Sequence, residues 1–142
     1  MSSQRYRFLE HTADAKFQAF GKTLEEAFSN AALAMASLMW DWKIIKKESR
    51  RSIEVEGKDL KQLLVAFLEE ILFLWDVQGY LLGGIEDLII MKKEKTFNLN
   101  AVLLGDTNKG NYAASGDVKA ITYNEMEVLE KNGFQIQVVV DI

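Results

Sequence analysis

Hydrophobic and polar positions alternate at both ends of the chain and fall at helical intervals in between. Residues 6–10 predict a short strand. After the turn His11-Thr12-Ala13-Asp14, Ala15, Phe17 and Ala19 alternate with Lys16, Gln18 and Phe20, and Gly21 closes this second strand. Thr23-Leu24-Glu25-Glu26 has the spacing of a capping box, in which the Thr23 hydroxyl accepts an orphan amide and Glu26 reaches back to the Thr23 amide. Leu24, Ala27, Phe28, Ala31, Met35 and Leu38 then line one helical face, and its many alanines allow close packing on a sheet. Residues 52–56 alternate again. A second helix starts at Asp59, with Gln62 in capping position, and ends at Gly79. Its apolar face, Leu60, Leu63, Leu64, Phe67, Leu68, Ile71, Leu72 and Trp75, is wide enough to predict the central helix of the fold.

From residue 80 onward the chain reads as strands over 81–82, 88–91, 97–103, 121–129 and 134–140. Gly83-Gly84, Lys93-Glu94-Lys95 and Lys131-Asn132-Gly133 mark turns, the last with the Asn-Gly hairpin signal. Residues 105–116 are polar and glycine-bearing and read as the least ordered stretch. Two helices followed by a run of strands predict an α+β fold, with the helices packed on a predominantly antiparallel or mixed sheet. No repeat, linker, low-complexity tract or proline interrupts the 142 residues, so a single domain over 1–142 is expected.

Composition narrows the class. With 49% hydrophobic and 27% charged residues the chain is that of an ordinary globular protein. It has no cysteine, which excludes disulfides and thiolate metal sites. The first residues lack the apolar run of a signal peptide. The longest apolar stretch, 60–75, is too short to span a bilayer and is broken by Lys61, Gln62, Glu69 and Glu70, so a cytoplasmic protein is expected. The net charge of −4 and pI of 5.1 argue against a free-standing nucleic-acid binder. The one basic cluster, Lys43, Lys46, Lys47, Arg50 and Arg51, reads first as a solvated loop, with an RNA contact as the alternative.

Several chemistries fall away. His11 is the only histidine, so no imidazole cluster can hold zinc, and no Gly-x-Ser-x-Gly elbow exists. Gly21-Lys22-Thr23 imitates the end of a phosphate-binding loop, but Lys16 stands where its first glycine should be. Trp40, Trp42, Phe67, Phe73 and Trp75 fall on or beside helical apolar faces, as core residues do.

Two polar features remain. Asp14 shares parity with Lys16 and Gln18, so it should point away from the face carrying Ala15 and Phe17. An aspartate there also organises a turn through its own backbone. At the other end Phe134, Ile136, Val138 and Val140 line one face of the last strand, leaving Asp141 opposite with Gln135 and Gln137. The Asp141 carboxylate and the main chain of Ile142 then lie together, the oxygen donors that Ca²⁺ or Mg²⁺ prefers. A plain strand end is the simpler alternative.

Four segments, in order, carry a resemblance that covers essentially the whole chain. They are His11-Thr12-Ala13-Asp14; Gly21-Lys22-Thr23-Leu24-Glu25-Glu26-Ala27-Phe28 with Asn30-Ala31-Ala32; Val118-Lys119-Ala120-Ile121-Thr122-Tyr123; and Val140-Asp141-Ile142. Together they resemble archease, a small protein family that assists the RtcB-type RNA-splicing ligase. The resemblance implies an α+β fold and a divalent-metal site, with Ca²⁺ the expected ion and Mg²⁺ or Mn²⁺ alternatives. Asp14, Asp141 and the main chain of Ile142 are its implied ligands. It implies a protein cofactor, not an enzyme, that promotes guanylylation of the ligase histidine and repeated turnover in tRNA splicing, touching RNA only indirectly or weakly. It also points to Lys119 and His11 as functional residues. One departure stands out: the residue after Thr122-Tyr123 is often histidine in archeases and is Asn124 here.

Two other readings compete. A metal-dependent phosphodiesterase or nuclease would use Asp14 and Asp141, but generally needs more carboxylates or a second metal. A general chaperone-like interaction module would bind many proteins without regard to metal.

Overall fold

The computed structural model of the chain describes residues 4–10, 14–107, 109–114 and 116–142. Both helices, α1 (Leu24–Ser37) and α2 (Leu60–Gln78), start at the capping residues. Thr23 Oγ1 accepts from the Glu26 amide at 3.1 Å, and Asp59 Oδ1 accepts from the Gln62 amide at 2.8 Å. The reciprocal bonds differ from the expectation by one residue. Glu26 and Gln62 accept from the amides of Lys22 and Lys58, at 2.9 and 3.0 Å, instead of from the caps themselves. Each helix follows a strand that ends in glycine: β2 (Ala15–Gly21) and β3 (Ser49–Gly57), with β1 (Tyr6–Leu9) before them. A Cβ on Gly21 would lie 2.3 Å from the Ala27 amide nitrogen, and one on Gly57 would lie 2.5 Å from that of Leu63. Only glycine lets the strand end press this closely on the helix start.

These parallels correct the expectation that the chain has no internal repeat. Gly21-Lys22-Thr23-Leu24-Glu25-Glu26 and Gly57-Lys58-Asp59-Leu60-Lys61-Gln62 are the same device used twice. The remaining strands are β4 (Leu81–Lys92), β5 (Phe97–Asp106), β6 (Ala120–Glu130) and β7 (Phe134–Asp141). One sheet has the order β1-β2-β7-β6 and the other β3-β5-β4, and every strand pairing is antiparallel. In each, a strand, a helix and two more strands follow in sequence, and the last strand pairs between the first and the second. The unit β3-α2-β4-β5 is inserted between α1 and β6 of the unit β2-α1-β6-β7. The α+β class stands as expected, with two separate antiparallel sheets in place of one.

Both helices pack against both sheets, and α1 is the more fully buried of the two. It packs on β2 and β7 of the first sheet and on β4 of the second. From Ala27 to Ala36 all its residues except Ser29 are buried. Small alanines let a sheet approach from either side, so side-chain size outweighs the width of the apolar face. Helix α2 packs on β3, β5 and β6 but leaves Phe73 and Val77 in solvent.

Two local expectations are also corrected. Gly83-Gly84 is not a turn: β4 runs through it, with register shifts at Leu82/Gly84 and Glu86/Ile89. Glycine eases the packing at position 83, where a Cβ would lie a tight 3.0 Å from Ile45. Residues 105–116, where described, are held down. Gly105 belongs to β5, and the Tyr112 hydroxyl donates to Asp106 Oδ2 at 2.8 Å and accepts from the Lys46 amide at 3.0 Å.

Candidate functional site

The register of β7 with its two neighbours brings the candidate residues to one end of the first sheet. Ala15 pairs with Val140, so the next step along both strands sets Asp14 beside Asp141. On the other side Ala120 pairs with Asp141, and the Lys119 amide donates to the Asp141 carbonyl at 2.8 Å. Strand β7 therefore ends between β2 and β6, held from both sides, with Asp141 half-buried and Ile142 51% exposed. Asp14, Asp141, Ile142 and Lys119 meet here. His11, with Thr12 and Ala13, lies outside the described residues.

Cross-strand partners share a face, so Asp14, Lys16 and Gln18 lie on the sheet face carrying Asp141, Val139 and Gln137. This face is polar, yet it is largely covered. Arg7 Nε donates to Gln18 Oε1 at 2.8 Å, Gln18 Nε2 to Gln137 Oε1 at 3.0 Å, and Gln137 Nε2 to the Glu125 carbonyl at 2.8 Å. Lys16 Nζ meets Glu125 Oε1 at 3.0 Å. The chain of bonds crosses all four strands. It is anchored on a bulge in β6, where the pairing passes from Thr122/Val139 directly to Glu127/Gln137. Glu125 sits in this bulge with φ 54 and is drawn onto the outer face. The paired amides explain how Gln18 and Gln137 can each be buried to 8% exposure. Tyr123 and Asn124 are lifted into solvent on the same bulge, above the Asp14 end.

Sequence reasoning missed Lys16, Gln18, Gln137 and Glu125. Alternating polar residues in a strand read as a solvated face, and nothing local signals that a bulge far along the chain covers them.

Asp14, Asp141 and main-chain carbonyls form an oxygen-only donor set, which fits a hard divalent cation. Among the described residues no group of three or more carboxylate or imidazole side chains gathers anywhere. Two carboxylates plus main-chain oxygen is the most this end can offer from what is described. Among the same residues, no helix is long and apolar enough to cross a membrane.

Known proteins match this arrangement along its length. The model of the Archease protein family (MTH1598/TM1083) matches residues 6–142. A protein archease from Methanosarcina barkeri is 40% identical over all of both chains. Another from Pyrobaculum neutrophilum is 38% identical, covering 96% of this chain and 95% of its own. The solution structure of Methanobacterium thermoautotrophicum protein 1598 superposes with a TM-score of 0.83 at 32% identity, covering 97% of this chain and 99% of that one. With the family model spanning both units of the fold and the shared sheet end that holds Asp14 and Asp141, the chain belongs to the archease family.

Proposed function

We propose that this chain is a protein cofactor of RNA processing that activates an RtcB-type, GTP-dependent RNA ligase in the cytoplasm, promoting its guanylylation and multiple turnover in tRNA splicing. Family membership supports the general role. The observation that carries the specific reading is the convergence of Asp14, Asp141, Ile142 and Lys119 at one exposed sheet end.

Asp14, Asp141 and the main chain of Ile142 would hold a divalent cation, with Ca²⁺ the best fit to oxygen donors and Mg²⁺ or Mn²⁺ the alternatives. When bound, the cation neutralises charge at this end and offers a docking point for phosphate oxygens. The chain's own residues do the rest. The bond from the Lys119 amide to the Asp141 carbonyl fixes the last strand against β6, and the Lys119 side chain is exposed at the same sheet end. Lys16, tied to Glu125, holds the bulge that carries Tyr123 and Asn124. Such an end can enter a partner's active site and help position a triphosphate for in-line attack, which depends on positioning and charge neutralisation. His11, three residues before Asp14 in sequence, is assigned to the same contact.

A phosphodiesterase would act alone at the same carboxylates. The two readings separate in one assay: labelled GTP is incubated with a cognate ligase with and without the chain. The activator reading expects more guanylylated ligase in its presence. No increase, together with hydrolysis of RNA by the isolated chain that Asp141→Asn abolishes, would favour the hydrolase.

A further inference from the structure

Beside the first turns of α1 two cavities of about 470 and 440 Å³ adjoin, sharing Arg5, Glu26 and Asn30. Each is within the roughly 300–1,000 Å³ of small-ligand sites. Together they form a groove between the two sheets. It runs from the β6–β7 hairpin at Lys131 and Asn132 to the start of β4 at Gly83. Gly21 and Phe134 pair six residues along β2 from Ala15 and Val140, which is about 20 Å at strand rise, so the groove is distinct from the carboxylate end.

The charges in the groove are unevenly committed. Arg5, Lys22, Lys47 and Lys131 enter from four separate segments, and none is ion-paired among the described residues. The Arg5 guanidinium lies 5.2 Å from the centre of the Trp42 ring. Of the two carboxylates that reach the groove, Glu86 is paired with Arg50, while Glu26 accepts from the Lys22 amide and keeps its charge, so four cations face one uncompensated carboxylate. The field of the groove therefore favours an anion despite the acidic net charge. At its floor is Asn30, 6% exposed, lining both cavities. Asn30 Nδ2 donates to the Phe20 carbonyl at 2.7 Å, while Oδ1 accepts no bond among the described residues. A buried carbonyl oxygen of this kind asks for a donor. Phe134 and Phe20, the latter under the Arg7 guanidinium, flank it in one cavity, and Trp42, with Arg5 and Lys43 over its ring, in the other.

We propose that this groove binds a single-stranded polynucleotide. Lys22, Lys47 and Lys131 take phosphates, the Phe134 ring offers a face to a base, and Asn30 Oδ1 accepts from the exocyclic amino group of an unpaired base. A duplex has those amino groups paired and cannot insert one to a nearly buried oxygen. An acidic peptide satisfies the cations but brings no flat base for the ring.

The test uses the whole chain, ¹⁵N-labelled, titrated with a fluorescent single-stranded RNA 12-mer of mixed sequence at low salt. Saturable binding is expected. It should weaken at least tenfold in the double variant Lys22→Glu/Lys131→Glu, both exposed positions. The charge-matched control Lys61→Glu/Lys92→Glu should weaken it by less than threefold. The slope of log K against log salt should flatten by about 0.7 for each phosphate contact removed. The Asn30 side-chain amide resonances should shift on binding, and the amides of Asp141 and Ile142 should not. Absence of saturable binding, equal loss in the control, equal affinity for the matching duplex, equal competition by polyglutamate, or shifts confined to the Asp141 end would each overturn the assignment. Ligase activation does not enter this test, so its outcome is independent of the proposed function.

Discussion

Asp14 and Asp141 stand side by side only because Ala15 pairs with Val140, and each then has a defined consequence when changed. Replacing either with asparagine keeps the shape and removes one negative charge, so Ca²⁺ affinity measured by calorimetry should fall at least tenfold. The metal-free variants should melt close to wild type. If the proposed site takes Ca²⁺, the ion at a hundred times its Kd should stabilise the folded wild type by about 2.7 kcal/mol. That corresponds to a rise in Tm of roughly 5–10 °C for a domain of this size. Neither aspartate variant should show the rise. Tyr80 makes a different prediction. Its hydroxyl donates to the Ser49 carbonyl at 2.8 Å, and burial, opposed by Arg51 and reinforced by Asp106, pushes the phenol up to about 12. The folded state thus holds this proton more tightly than the unfolded chain. Its contribution is complete below pH 10 and is lost as pH rises from 10 towards 12. Urea unfolding at pH 9 and pH 11 should show a steeper loss for wild type than for Tyr80→Phe.

Among the elements, the strand-to-helix corners are the most constrained. Gly21→Ala and Gly57→Ala each drive a methyl group into helix backbone, and each should cost about 1–3 kcal/mol in chemical denaturation. Thr23→Ala and Asp59→Ala each remove a cap and should cost about 1 kcal/mol. The caps were legible in the sequence because a cap and its partner lie three residues apart. The repeat they belong to was not, since only the glycine, lysine and leucine of each corner are identical and the helices that follow differ in composition. Gly83-Gly84 was misread for a related reason. A glycine pair signals a turn locally, whereas the close contact that favours glycine at position 83 comes from Ile45 in another segment. The alanines of α1 were noted as allowing close packing, but that both sheets close on them is a property of the inserted unit and has no local signature.

At the scale of the whole molecule, the outer strand-helix-strand-strand unit carries residues from opposite ends of the chain to the same end of one sheet. The α+β class and the parity of Asp14 and Asp141 followed from period-two alternation. Their pairing did not, because alternation fixes a face and leaves the neighbour undetermined; the family resemblance supplied that expectation. The bond chain through Gln18, Gln137 and Glu125 depends on a bulge that no pattern announces. The basic residues from Lys43 to Arg51 illustrate the same limit. They read as a solvated run, and only the fold sets Lys47 across a groove from Arg5, Lys22 and Lys131. The central claim is that the Asp14–Asp141 end activates an RNA ligase. The measurement that tests it most directly is multiple-turnover RNA ligation by a cognate RtcB-type ligase with GTP, comparing no addition, wild type, Asp14→Ala and Asp141→Ala, with folding of each variant checked by circular dichroism. The account predicts that wild type carries the ligase through many turnovers and that each folded aspartate variant leaves it at or below about one. A competent ligase that turns over equally well without the chain, or equally well with either variant, would contradict it.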